Sequence, residues 1–408
     1  MPIRLEDYTS IVGTYVIEEL RLLAEKLAGK TIQTINSTAV GGGVAEILHR
    51  LVPLLSELGV QIRWDVIRGG TAFFEATKSF HNSLQGEAGQ LSEDIFKVFL
   101  ETTEQNLRLI GFYGDIIFVH DPQPIALVKE RYKGHAHWVW RCHIDLSNPQ
   151  AQVWDFLRPF VEQYDAAVFS SANFAQPLKV KQYLIAPSID PLSDKNKELT
   201  QEFIRDFLEK YQIDPKRPII TQISRFDHFK DPIGVIKAFR QVRPNFDCQL
   251  VLAGGEATDD PEGAQVLQEV QAEAGKDKDI HLLLLPPTAD LEINALQRGS
   301  TIIIQKSLRE GFGLTVTEAL WKGKPVIASA VGGITLQIKH NLTGILVHSI
   351  EGTAYAIKNL LTNPEYARKL GENGREHVRQ HYLLTRHLKD YLLLFLAIDR
   401  GTDGIVYL

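Results

Sequence analysis

The chain has few of the residues that staple a fold or bind soft metals. Cys142 and Cys248 are its only cysteines among 408 residues. That excludes a disulfide framework and any cysteine-based zinc site. Methionine is scarcer still, with Met1 alone, a composition in keeping with selection against oxidation or heat. A strong charge is also lacking. At a net charge of −6 no global field draws the chain to nucleic acid or an anionic membrane, although local basic groups can still hold a phosphate. The longest apolar run near the end, residues 391–398, is too short to span a bilayer. The opening Met1-Pro2-Ile3-Arg4 does not read as a signal peptide. The expectation is a cytoplasmic protein without nucleic-acid or membrane partners.

What is present is ordinary globular material, 44% apolar and 23% charged, long enough for two domains. Apolar strand-like runs alternate with helical stretches, which predicts parallel α/β layers. Strands are expected at 31–36, 61–67, 116–119, 137–142, 167–170 and 183–186. A second set is expected at 218–224, 248–253, 280–285, 301–305, 325–328 and 344–347. Residues 186–196, rich in Pro, Ser and Asp, read as a linker, with a helix at about 197–211 behind it. The fold class is therefore α/β: two Rossmann-like doubly wound domains facing across a cleft. Ligands of such sheets bind beyond the carboxyl ends of the strands.

The segment from Ser307 to Leu320 carries the most chemistry. Glu310 and Glu318, eight positions apart, bracket Gly311-Phe312-Gly313 between a strand and a short helix. A helix N-terminus behind small residues binds anions, because its free N–H groups and its dipole point at the ligand. Carboxylates beside such a site would repel phosphate, so they suit hydroxyls on either side of it. A nucleotide sugar supplies both a hexose and a ribose. Arg225 and Lys230 follow another strand and form a sensible pair for a pyrophosphate. In the first half, Val119-His120-Asp121-Pro122-Gln123 and Arg141-Cys142-His143-Ile144-Asp145 each end a strand with a histidine and an acid. His143 is placed to bond a sugar hydroxyl or steady developing charge. Cys142 reads as core. His135 and His137 share a strand face, but no third metal ligand is apparent.

Gly41-Gly42-Gly43 after the first strand suggests a dinucleotide site or a tight turn. The spacing is not Gly-x-Gly-x-x-Gly, however, and the next strand ends in Arg68-Gly69-Gly70 rather than a ribose-binding acid. A dehydrogenase is thus the weaker reading.

Arg225 and Lys230 with Glu310-x7-Glu318 resemble the retaining GT-B nucleotide-sugar glycosyltransferases of the sucrose-synthase-like group. The strings Asn36–Leu48, Trp140–Ser147, Pro187–Ser193 and Arg309–Ala319 further resemble the trehalose glycosyltransferring synthases, some of which are called phosphorylases. The resemblance covers about 30–395. The linker divides the chain into domains at 1–193 and 194–384, and its position suggests that the last apolar helix, at about 385–399, packs back on the first; the resemblance implies that the first domain binds the acceptor and the second the nucleotide sugar. It implies that Arg225 and Lys230 bind the diphosphate with backbone N–H groups of Leu314 and Thr315, behind the Gly311-Phe312-Gly313 turn. Glu318 would hold the ribose, Glu310 the donor glucose and His143 its neighbourhood. Gly42 and Gly43 would lie under the phosphate or sugar. Asn36, Asp121 and Gln123 would meet the acceptor.

The implied activity is reversible retaining transfer from UDP-glucose or ADP-glucose to free glucose, forming α,α-trehalose. No metal site or tightly bound cofactor is expected; a magnesium ion on the diphosphate is compatible, and a homodimer stays open. A phosphate-using phosphorylase and a nucleotide-sugar-binding regulator remain as alternatives. One departure stands out: Asp231 follows Lys230 where the family pattern has glycine.

Overall fold

A computed structural model describes residues 3–40, 43–255 and 261–401. The chain divides into two compact units. The first runs to Pro187 and resumes at Leu384; the second is Ser188–Leu383.

In the first unit β1 (Thr31–Asn36), β2 (Gln61–Val66), β3 (Ile116–His120), β4 (His137–Arg141), β5 (Ala166–Phe169) and β6 (Lys181–Leu184) form one sheet. Their order is β2-β1-β3-β4-β5-β6, and every pairing is parallel. β3 is buried along its whole length, as a strand covered on both faces must be. That is why it reads in sequence as an unbroken apolar run. Helix α1 (Gly43–Glu57) follows β1 and buries Leu48, Leu51, Leu54 and Leu55. In the second unit β7 (Ile219–Ile223), β8 (Gln249–Gly255), β9 (Ile280–Leu285), β10 (Ile302–Gln305), β11 (Val326–Ser329) and β12 (Ile345–Val347) take the order β12-β11-β10-β7-β8-β9. This sheet too is parallel throughout.

In both sheets the first strand lies beside a strand that comes later in the chain. Connections leave the first strand in opposite directions there, opening a crevice at the strands' carboxyl ends. These switch points lie between β1 and β3 in the first unit and between β7 and β10 in the second. The loops after β7 and β10 therefore become neighbours. They hold helix α2 (Pro232–Val242) and helix α3 (Leu314–Trp321).

Helix α4 (Leu384–Asp399) belongs to the first unit. Its Tyr391 and Phe395 rings pack edge-on to Phe118 of β3, with centroids 5.1 and 5.5 Å away. Each large apolar side chain buried in this way contributes about 1.5–3 kcal/mol.

The boundary falls between Pro187 and Ser188, not at 193/194, and residues 188–193 are not a loose linker. Ile189 bridges Leu383 and donates its N–H to the Tyr382 carbonyl at 2.9 Å. The Asp190 carboxylate accepts from Leu192 N–H at 2.9 Å, and Asn196 Nδ2 donates to the Asp190 carbonyl at 3.0 Å. Asp, Ser and Pro favour such hydrogen-bonded turns as strongly as they favour linkers, so composition alone does not separate the two. The following helix starts at Gln201, where Thr200 caps it by accepting from Phe203 N–H at 3.2 Å.

Candidate active site

The loop after β7 turns sharply. Asp227 accepts from Lys230 N–H at 3.0 Å, closing one short turn. Asp231 then takes a left-handed conformation, φ +46°, and caps α2 by accepting from Gly234 N–H at 3.0 Å. The geometry turns Lys230 toward the loop after β10. Its Nζ donates to Glu310 Oε2 at 2.7 Å, and both side chains are largely buried, at 17% and 12% exposure. Ser307 Oγ donates to the same oxygen at 3.1 Å, with Gln305 Nε2 at 3.5 Å. The other carboxylate oxygen, Oε1, makes no hydrogen bond among the described residues. Arg225 stays in solvent with 78% of its side chain exposed, 3.3 Å from Asp227.

Further bonds bind the two loops together. Gln222 donates to the Lys230 carbonyl and accepts from Lys306 N–H, both at 2.9 Å. Leu308 N–H reaches the Phe229 carbonyl at 2.7 Å. Lys306 forms an ion pair with Asp231.

The Gly311-Phe312-Gly313 turn feeds α3. Gly313 adopts φ +81°, and α3 has no side-chain cap among the described residues, so its first N–H groups, including those of Leu314 and Thr315, can serve a ligand. Gly332 and Gly333 back this turn: a Cβ on Gly332 would stand 1.7 Å from the Glu310 carbonyl oxygen. Gln337 donates to the Phe312 carbonyl and accepts from Thr317 Oγ1 at 2.6 Å. Phe312 is buried, its ring 5.7 Å from that of Tyr382. Glu318 is buried one turn into α3. Burial lowers the Lys322 ammonium to about 7, opposed by the charge of Glu318 one turn earlier.

In the first unit the ends of β3 and β4 bring two histidines together. His120 Nδ1 lies 3.1 Å from His143 Nε2, and His120 Nε2 lies 2.8 Å from Thr34 Oγ1. Burial pulls His120 down to about 3 and holds His143 well below its ordinary value, with the Arg141 guanidinium adding to both. Both rings are thus neutral near pH 7. Asp121, at φ +65°, accepts from His143 N–H at 2.8 Å. Burial raises its carboxyl to about 6.

Gln123 has a buried Oε1 without a partner among the described residues. Asn36 differs. Its amide accepts from Trp64 Nε1 at 2.9 Å and donates to the Thr38 carbonyl at 2.7 Å. It shapes the β1 loop, and both ends of its amide are used there. Gly43 opens α1; Gly42 lies outside the described residues. The buried Cys142 thiol is pushed far up by burial, which makes it core and no nucleophile.

The second unit therefore joins Lys230, Glu310, Gly311, Phe312, Gly313, Leu314 and Thr315, while Arg225 stands at the rim. The first unit joins His143 to Asp121. Sequence reasoning missed Thr34, Gln222, Lys306, Ser307 and Gln337. Polar residues at the ends of apolar strands were the available signal for Gln222 and Lys306; Thr34 lies inside β1 and carried none. Gln337 carried none. No cluster of three or more His, Cys, Asp or Glu side chains suits a metal ion among the described residues. Nor does any described helix have the length and apolarity to cross a membrane.

Comparison with known proteins adds the following. Residues 34–176 match the family model "Trehalose synthase, N-terminal domain", and residues 203–377 match "Glycosyl transferases group 1". The chain is 46% identical over 395 residues to the trehalose synthase of Pyrococcus horikoshii, covering 95% of each chain. It is 30% identical over 453 residues to the trehalose phosphorylase of Pleurotus pulmonarius, covering 97% of this chain and 61% of that one.

Among solved structures, the sucrose-phosphate synthase of Thermosynechococcus elongatus matches with a TM-score of 0.72 at 18% identity, over 91% of this chain and 100% of that one. The UDP-forming trehalose-phosphate synthase of Burkholderia xenovorans matches with a TM-score of 0.71 at 15% identity, over 92% and 100%. These likenesses show the fold, which is GT-B: two doubly wound α/β units.

Proposed function

The chain belongs to the trehalose synthase family of group 1 glycosyltransferases, and from that premise we propose that it moves glucose from a nucleoside diphosphate to free glucose with retention, forming α,α-trehalose reversibly. One observation carries this reading. At the switch point of the second unit, Lys230 pins Glu310 through one oxygen beside the uncapped start of α3. The ammonium and the helix N–H groups suit a diphosphate. Glu310 Oε1 suits the hydroxyls of the attached hexose. Glu318 would take the ribose.

The first unit would supply the acceptor side. His143 is neutral and oriented by His120 and Asp121, so it can hydrogen-bond sugar hydroxyls without a charge. Gln123 is the acceptor contact that its unpartnered Oε1 favours; the internal bonds of Asn36 argue against the contact proposed for it.

Retaining hydrolases use two carboxylates, one of them a nucleophile. No second carboxylate stands beside Glu310 in the contacts above. We therefore favour same-face attack: the acceptor hydroxyl bonds to the anomeric carbon as the carbon–phosphate oxygen bond breaks. The leaving phosphate oxygen takes the hydroxyl proton. Charge growing on the diphosphate would be met by Lys230, Arg225 and the α3 N–H groups, preorganised donors that need no rearrangement. A magnesium ion, if used, would arrive with the diphosphate.

The likeness to a trehalose phosphorylase sustains a second reading, with inorganic phosphate in place of the nucleotide. Labelled glucose with UDP-glucose or ADP-glucose, followed by NMR of the product, tests the proposal. Labelled α,α-trehalose is expected; the absence of any glucosyl transfer from either donor would refute it.

A further inference from the structure

A carboxylate one residue from a phosphate-binding lysine should weaken anion binding through Coulomb repulsion. Asp231 stands in that position, yet its charge is answered from two sides. Lys306, only 8% exposed, forms an ion pair with it. Gly234 N–H donates to it at 3.0 Å from the first turn of α2, where the helix dipole also favours a negative charge. The carboxylate lies so close over Gly234 that a Cβ there would fall 2.2 Å from Asp231 Oδ2.

The backbone at 231, at φ +46°, suits glycine best. Glycine would relieve that strain. It would also remove the cap and leave the buried Lys306 ammonium without its partner, a costly state. The side chain is thus kept for its bonds, against a backbone preference. Two adjacent residues of one loop pair crosswise with two residues of the next: Lys230 with Glu310, and Asp231 with Lys306. Gln222 lies between the pairs, bonded to Lys230 and Lys306 by backbone groups.

Building on the donor-site reading above, we propose that Asp231 and Lys306 are positioning residues for the donor diphosphate: their pair holds the loop that aims Lys230. Neither needs to touch the nucleotide.

Calorimetry with UDP and with ADP on the full chain tests this, using D231G, D231N, K306M and G234A. D231G and K306M should each weaken binding about five- to twentyfold, at the low end of the roughly ten- to hundredfold cost of losing a direct hydrogen bond to a charged group, because their effect passes through Lys230. Donor KM should rise by the same factor while kcat falls less. D231N, which still caps α2, should lie between D231G and the unmodified chain. G234A leaves both charges in place but displaces the carboxylate, so it too should weaken binding. If D231G does not fold, K306M and G234A decide.

Affinity in D231G equal to or above that of the unmodified chain overturns the proposal, because Asp231 would then act only as a repelling charge. Unchanged affinity in both K306M and G234A overturns it as well. Failure of the unmodified chain to bind either nucleotide overturns this inference together with the donor-site reading, and so is distinct from failure of the inference alone.

Discussion

Lys230 and Arg225 look alike in sequence, two basic residues on one loop, but the structure separates them. Lys230 is largely buried against Glu310, whereas Arg225 is mostly in solvent. Exposed ion pairs are worth little, and removing one partner of a buried pair strands the other. Lys230→Ala should therefore weaken UDP or ADP binding about a hundredfold and Arg225→Ala about tenfold or less. Titration calorimetry checks the order, and equal losses would contradict it.

The two glutamates differ likewise. Glu310→Gln should lower kcat, because Oε1 is expected on the reacting glucose, where misplacement is costly. Glu318→Gln should mainly raise donor KM, since ribose is held alike in ground and transition states. Steady-state kinetics in the reverse order would exchange their roles. Charge and spacing made both glutamates legible in the sequence. Which oxygen of Glu310 is spoken for was not, because Ser307 and Gln305 become its partners only once β10 ends where it does.

Among the elements, all twelve strands were legible, most within a residue or two, because buried parallel strands leave continuous apolar runs. β6 lies two residues earlier than expected: Lys181 and Gln182 are exposed edge positions and carry no apolar signal. The stretch at 186–196 was read as a linker because turn-forming and linker compositions coincide. Gly332 and Gly333 drew no role from sequence, since their contact with the 310–313 turn is tertiary.

The β3, β4 and α4 layer also hides a buried histidine cluster with a consequence for stability. His120 titrates at about 3 in the fold, against an ordinary 6.5, and His143 and His387 are lowered in the same direction by burial. Depressed histidines contribute stability above pH 6.5, and that contribution is lost as pH falls toward the folded values, because the unfolded chain takes up protons first. Asp121, raised to about 6, acts oppositely between about 4 and 6, but it is one group against three. Stability should therefore fall on acidification from pH 6.5 to 5, by about 1.4 kcal/mol per pH unit for each net proton. Urea unfolding at stepped pH should show this fall, and His120→Asn should make it shallower. Identical slopes in both proteins would contradict the assignment.

At the scale of the whole molecule, two doubly wound units divide the proposed work. The second presents a paired lysine and glutamate at a helix start; the first presents neutral histidines. The choice of acceptor follows from charge. A glucose phosphate needs cations, and burying its dianion without them is prohibitive. Arg141, near the acceptor loops in sequence, is fully buried; its Nη2 bonds Ser170 and the Ile185 carbonyl, while its Nε and Nη1 have no partner among the described residues, and Arg68 is exposed. Free glucose is thus the expected acceptor.

The nature of the leaving group is the central claim, and trehalose cleavage measures it most directly. The chain should be incubated with trehalose and either UDP, ADP or inorganic phosphate, and glucose release followed. Cleavage that requires a nucleoside diphosphate and yields the matching nucleotide-glucose is the expected result. Equal cleavage with inorganic phosphate alone, yielding glucose 1-phosphate, would contradict the account.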